Sequence, residues 1–366
     1  MLVASSPDSS IAEPAEGAVA RPSRARAITV LTAGLVVAII VATGVGAIGL
    51  SPGEVMAALV RPLGFELPWA VGSREELIVW SLRLPRVALA VLVGAGLAGA
   101  GAALQGLVRN PLADPGLIGI SNGAAFAAVA FIVVGAPLAA VAGALAPWLL
   151  PAAAFVGALV ASGAAVLLAR RHGRIGPASL ILAGVGVASL AGSGIGLFLF
   201  VADDAQLRSV TFWSLGSLGN ATWPLVGVVA GPMAIAGLII GRHAADLDRL
   251  LLGETEARHL GVEVEQVTRR MIVAVALAVG AAVAACGVIG FVGLVVPHLV
   301  RGWLGPAHRG VVPASILGGA LLMVAADVVA RTIVAPAELP IGIITALVGA
   351  PVLLVVVLRG RAEGLA

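Results

Sequence analysis

Residues 83–126 read RLPRVALAVLVGAGLAGAGAALQGLVRNPLADPGLIGISNGAAF, and this stretch decides the fold. Two arginines, Arg83 and Arg86, open it. An uncharged run dense in glycine and alanine follows, is interrupted at Asn110-Pro111 and Asp114-Pro115, and then turns apolar again. About 20 apolar residues in a helix match the hydrocarbon thickness of a bilayer. The residue before a proline is pushed out of the helical region, so Asn110, Pro111, Asp114 and Pro115 read as the turn between two membrane helices. Gly94, Gly96, Gly99 and Gly101 let neighbouring helices approach closely, because small residues permit tight helix packing in lipid. Gln105 sits inside the first helix of the pair, where a hydrogen bond to a neighbouring helix is its expected role.

Composition carries that reading to the whole chain. Of 366 residues, 60% are hydrophobic and 11% charged, and the mean hydropathy is +1.09, far from soluble averages. Only helices and closed barrels satisfy their backbone in lipid. The apolar runs here exceed the roughly 10 residues of a barrel strand and lack its alternation. The expected fold is therefore an all-α, polytopic membrane protein. All 22 basic side chains are arginine. A phosphate-binding P-loop needs a lysine on the β- and γ-phosphates, so the chain itself does not hydrolyse ATP by that route, nor form a lysine Schiff base. Its one cysteine, Cys286, excludes an intrachain disulfide and reads as a small buried hydrophobe.

Ten apolar runs are expected to span, at about 28–50, 83–108, 116–136, 148–169, 179–202, 222–241, 271–289, 290–304, 311–331 and 341–358. Residues 1–27 read as a disordered tail and 360–366 as a second tail. Residues 51–80 read as a polar connection holding a short amphipathic helix that does not span. Gly287, Gly290 and Gly293 mark either a re-entrant turn or a kink. Ten spans place both termini on one side. Sixteen of the 22 arginines fall on that side, which the positive-inside rule makes cytoplasmic. The other face then carries Arg83, Arg86, Arg208 and Arg331, where headgroup anchoring competes with docking of an acidic partner.

Other motifs each have a plain structural reading. Gly94-x-Gly96-x-x-Gly99 has the dinucleotide pattern but lies inside a membrane helix, without the strand that the motif needs before it. Gly192-x-x-x-Gly196 likewise reads as close helix packing. Asp327 is the one acid deep in an apolar run. An intramembrane carboxylate is a functional candidate by default, and Arg331, four residues on, offers a structural pair instead. Pro297 frees a backbone carbonyl that His298 is placed to cap, and His298 has no second metal ligand at helical spacing. The longest charged segment is RHAADLDRLLLGETEARHLGVEVEQVTRR, residues 242–270. Leu247, Leu250 and Leu251 recur there at helical spacing, Gly253 stops the first turn before Glu254, and Ala257 and Leu260 make a second apolar face before Gly261. The segment reads either as a solvated connector or, because water would not satisfy such apolar faces, as a contact for a protein partner.

RLPR, ALQGLVRNPLADPGLIGISNGA, FWSLGSLGNATW, LLGETEARHLGV, GFVGLVVPHLVR, AADVVAR and ELPIGIITALVGAPVLL occur in this order, and residues 28–359 resemble FecCD-type permeases of bacterial ABC importers. The resemblance implies a multi-pass protein of the bacterial cytoplasmic membrane that is not itself an enzyme. The functional unit it implies has a second permease subunit, identical or not, two ATP-binding subunits and an extracytoplasmic substrate-binding protein. ATP and magnesium belong to the partner subunits, and this chain is expected to bind no cofactor, metal or nucleic acid. The cargo implied is a ferric siderophore or other iron chelate, with haem or cobalamin as the alternative. Arg83, Arg86 and Arg331 match positions that pair with acidic side chains of the binding protein. Residues 246–261 match the helices that couple to the ATPases. The translocation path lies at the permease dimer interface, lined by the helix after Pro177. A proton-coupled secondary transporter is the rival of a different class, and would want more intramembrane acids than Asp327.

Overall fold

A computed structural model describes residues 22–363 apart from 47, 66, 70, 71, 172 and 173. Besides a short helix at Ala136–Val141 and three 3-10 turns, the helices are α1 (Arg24–Gly44), α2 (Pro52–Val60), α3 (Ser73–Leu107), α4 (Ile120–Val134), α5 (Ala146–Ala169), α6 (Pro177–Val201) and α7 (Asp204–Ser214). They continue with α8 (Trp223–Arg242), α9 (Ala244–Leu250), α10 (Glu254–His259), α11 (Val264–Cys286), α12 (Val292–Leu304), α13 (His308–Thr332) and α14 (Ile341–Glu363). Among the described residues seven helices are long and apolar enough to cross a bilayer, and α4, α12 and the apolar part of α14 are shorter. Each of the ten expected runs thus has its helix. A two-residue ladder pairs Arg170 with Ile175 and Arg171 with Arg174 in the turn between α5 and α6.

Several boundaries move. The expected N-terminal tail lies outside the described residues up to residue 21, but Arg24 and Arg26 are already helical, because the Ser23 hydroxyl caps α1 by accepting from the Arg26 N–H at 3.3 Å. At the other end α14 runs to Glu363, and only 364–366 lie outside. The 51–80 connection is shorter than expected: α2 is a non-spanning helix held by a Ser51–Glu54 capping box, and from Ser73 the chain is continuous helix into α3 through a π-turn at Ile78–Arg83. The segment before Trp223 is not plain loop either, since Asp203 and Gln206 cap each other and start α7.

The glycine cluster near residue 290 is a true break. Gly287 (φ 72°) and Phe291 (φ 69°) leave the right-handed region, and α12 restarts only at Val292. Backbone groups freed inside a membrane must find partners. They do so in a crossing of three segments: Cys286 O accepts from Ser217 N–H at 2.8 Å, Gly216 O from Ile341 N–H at 3.0 Å, and Leu215 O from Gly342 N–H at 3.1 Å.

At the centre stands α3, packed on α8, α11, α12 and α13. Its antiparallel partner is α13, with Arg86 beside Asp327, Gly94 against Gly319 and Gly106 against the ring of His308. A Cβ on Gly94 would strike the Gly319 carbonyl of α13, and one on Gly101 the Gly293 carbonyl of α12, so the α3 backbone touches both of theirs without room for a side chain. Gly192 and Gly196 differ. Nothing lies near where their side chains would point, so the close packing expected of that pair does not occur within this chain; that side of α6 faces away from the bundle.

Candidate functional site

The α3–α13 pair joins two polar ends of the bundle. At the arginine-poor end, Asp327 is 1% exposed. Its Oδ1 accepts from Arg86 Nε at 2.8 Å, and its Oδ2 lies 3.4 Å from Arg331 Nε. The i,i+4 pair with Arg331 is present, yet the shorter bond comes from Arg86, 241 residues away in sequence. Glu338 holds the other side of Arg86, accepting from Nη1 at 2.8 and 2.9 Å. A carboxylate taken out of water needs such partners, because isolated burial of charge is prohibitive.

The three arginines read as outward-facing docking groups are in fact engaged inside the chain. Arg83 and Arg331 are each 6% exposed. Arg83 Nη1 donates to the carbonyls of Thr43 at 2.7 Å and Gly44 at 2.8 Å, and its Nη2 to that of Ile48. Arg331 Nη2 donates to Ala42 O at 2.6 Å. The reason is the end of α1: its last carbonyls lack helical partners and carry the negative end of the helix dipole. Guanidinium groups from α3 and α13 close that end. Arg208 on α7, Arg74 at the start of α3 and Arg61 after α2 are exposed basic residues of this face.

At the arginine-rich end, α9 and α10 form the expected pair of short helices, divided by Gly253 at φ 117° and closed by Gly261 at φ 80°. Their apolar residues do not share one outward face. Leu247, Leu250 and Ala257 are buried and anchor the pair to the bundle, where α9 packs on α3 and α13, and α10 on α11. Leu251, Leu260 and Leu252, the last overlooked in the sequence, are exposed. The reason is position: Leu247 and Leu250, three residues apart, share the inward face of α9, whereas Leu251 and Leu252 lie in the turn past its end. Glu254 is half-buried and lies 3.8 Å from Arg109, tying α10 to the turn after α3.

Asp248 supplies a second tie. Its carboxylate accepts from the backbone N–H groups of His308 and, at 3.4 Å, Arg309, and stands 3.2 Å from His308 Nδ1. It thereby caps the first turn of α13 from another helix, and α9 is fixed to the same rod whose far end holds Asp327. The sequence carried no signal for this contact, because Asp248 sits among other charges and its partner lies 60 residues on.

The turn between α3 and α4 faces this end. The Asn110 side chain accepts from Leu112 N–H at 2.9 Å, and that of Asp114 from Gly116 N–H at 2.7 Å, as short polar side chains do in turns. Burial raises the Asp114 carboxyl above the ordinary range, opposed by the Gly116 N–H. Pro111 is exposed, whereas Pro115 is buried and packs on the backbone at Gly293. Gln105, 2% exposed, donates to the carbonyls of Gly293 and Leu294, each at 3.3 Å, and accepts from Arg301; it bridges α3 to the start of α12. Pro297 is buried in α12. His298 does not cap a carbonyl, and its Nδ1 has no hydrogen-bond partner among the described residues.

Among the described residues no nucleophile, base and orienting group are gathered together. The arrangement offers two faces mechanically joined by close-packed helices. The profile of the FecCD transport family matches residues 34–359. Over 307 residues the chain is 44% identical to the hemin transport system permease protein HmuU of Yersinia pestis, covering 82% of this chain and 90% of that one. It is 42% identical over 294 residues to the vitamin B12 import system permease protein BtuC of Vibrio cholerae, covering 80% and 86%. A solved chain from an inward-facing ABC transporter assigned to the metal-chelate type superposes with a TM-score of 0.79 at 30% identity, covering 92% of this chain and 99% of the solved one. With a family profile spanning most of its length and relatives this similar, the chain belongs to the FecCD transport family, as a multi-pass ABC importer permease.

Proposed function

We propose that this permease forms the membrane pathway for a metal chelate of the tetrapyrrole class, haem before cobalamin. The observation that carries the choice is the 44% identity with a hemin permease over 82% of the chain. A ferric siderophore is the second reading, favoured by the likeness to a metal-chelate type transporter.

Energy comes from ATP hydrolysed with magnesium on two partner subunits, which rest against Leu251, Leu252, Glu254 and Leu260. Exposure of those leucines at the arginine-rich end supports that contact. A binding protein docks on the opposite face. Arg86 is the reachable member of the three matched arginines, because the half-exposed Glu338 that holds it is a carboxylate an acidic partner can replace. A second permease subunit covers α6, whose Leu182, Leu190, Leu197 and Phe200 are exposed beside the open space at Gly192 and Gly196, and the path runs along that seam.

Reconstitution with the ATPase and binding protein tests the reading. ATP-dependent uptake of haemin, exceeding that of cyanocobalamin and ferric hydroxamates, is expected. Preferred uptake of a ferric hydroxamate would move the cargo to siderophores. Uptake that ignores ATP and collapses with the proton gradient would overturn the ABC mechanism.

A further inference from the structure

Two hollows adjoin each other between α5 and α11 at the arginine-rich end. One, of about 190 Å3, is apolar, and its walls include Leu159, Gly163, Ile272 and Val273. The other, of about 530 Å3, is charged, and its walls include Arg170, Arg258, Glu263 and Arg269. Val166 and Arg269 wall both, so the hollows make one groove with an apolar slot and a polar mouth. Gly163 lies six residues before the end of α5, so the slot reaches about 9 Å from the mouth into the hydrocarbon. Nothing stands within 4 Å of where a Gly163 side chain would point, and the slot is open there.

The mouth is not electrically closed. Glu265 accepts from Arg258 at 2.7 Å, Glu254 lies 3.7 Å from the same guanidinium, and Glu263 accepts from Gln266 at 2.8 Å. Arg170 and Arg269 pair with no carboxylate among the described residues, and both are exposed. The turn that follows Arg170 adds Arg171 and Arg174 and no acid.

We propose that this groove binds one anionic phospholipid, its phosphate on Arg170 and Arg269 and an acyl chain in the slot over Gly163. Three features select that occupant. Unpaired arginines at the membrane boundary attract anionic headgroups. A soluble anion has nothing to fill the apolar slot. A peptide entering it would carry unpaired backbone groups into the hydrocarbon. Arg258 belongs to α10, so the headgroup would also touch a helix of the arginine-rich face.

Native mass spectrometry of the full-length chain, released from nanodiscs of equal phosphatidylglycerol and phosphatidylcholine with matched acyl chains, tests this. Retained phosphatidylglycerol should exceed phosphatidylcholine by about tenfold, and Arg170→Gln combined with Arg269→Gln should bring the ratio close to one. Gly163→Phe should lower retention of both lipids. Should that variant not fold, p-benzoylphenylalanine at Val166 in the otherwise unchanged chain is expected to capture phosphatidylglycerol on illumination. Equal retention of the two headgroups by the unaltered chain, a ratio unmoved by the arginine changes, or capture of a protein in place of lipid at Val166 would each overturn the proposal.

Discussion

Helices α3 and α6 look alike as sequence and occupy opposite extremes of the fold. Both are rich in glycine and alanine, with spanning windows of mean hydropathy 2.2 and 1.9, yet 72% of one window is buried and 22% of the other. The glycines of α3 meet backbone or side chains at 94, 96, 99 and 101, whereas Gly186, Gly192 and Gly196 of α6 meet nothing. A helix surrounded by protein and one facing out of the chain can share a composition, because lipid tails are as apolar as a leucine core. What separates them is the geometry of the neighbours.

The sharpest way to break that contrast is to add a side chain to each helix. Gly101→Leu would drive its side chain into the Gly293 carbonyl, and overpacking against backbone exceeds about 3 kcal/mol; no monodisperse protein is expected by size-exclusion chromatography. Gly192→Leu should yield normally folded chain and lose transport only if a second subunit covers α6. Normal recovery of both variants would show that the α3 contacts are not tight.

The polar end of α3 gives the next largest effect. Asp327→Ala leaves Arg86 and Arg331 without their shared buried carboxylate, a loss of about 3–5 kcal/mol, read as a fall in thermal midpoint in detergent. Arg208→Ala, on an exposed residue of the same face, should stay within about 0.5 kcal/mol.

Around α9 and α10 the same inside–outside difference recurs on neighbouring leucines. Leu250→Ala removes a side chain that is 3% exposed and should cost about 2–4 kcal/mol. Leu252→Ala, at 64% exposure, should leave stability unchanged and weaken association with the ATPase in a pull-down. Stability loss from Leu252→Ala, or unchanged stability after Leu250→Ala, would reverse the assignment of faces.

The smallest effect concerns Asp114. Burial raises its carboxyl in the folded chain, so above that raised value the fold carries the cost of a buried charge, and as pH falls the native carboxyl binds its proton before the unfolded one. Asp114→Asn keeps an acceptor for the Gly116 N–H and removes the charge. It should raise the thermal midpoint slightly at neutral pH, and the gain should shrink as the solution is acidified. A gain that grows in acid would contradict a raised Asp114.

Much of the site was legible in part. Gly253 and Gly261 bound α10 because a chain reversal needs φ values that glycine adopts freely. Asp327 stood out as the lone acid in an apolar run, and Arg331 as its neighbour on the helix. Arg86 and Glu338 could not be read as its other partners, since no local period links positions so far apart. Leu250 and Leu251 carried equal weight as sequence; only packing on α3 and α13 sorts one inward and its neighbour outward.

The sequence by itself determined the medium, the places of the ten apolar runs and which ends of the helices gather arginine. Hydrocarbon thickness fixes the length of each apolar run, and charge is excluded from its interior, so both marks are local and survive in one dimension. Tertiary structure decided which helix became the core, which guanidinium groups close the end of α1, and which acid caps α13. Those outcomes depend on close approach between residues far apart in sequence, and in a chain apolar on nearly every helix face, hydropathy cannot distinguish a protein neighbour from a lipid one.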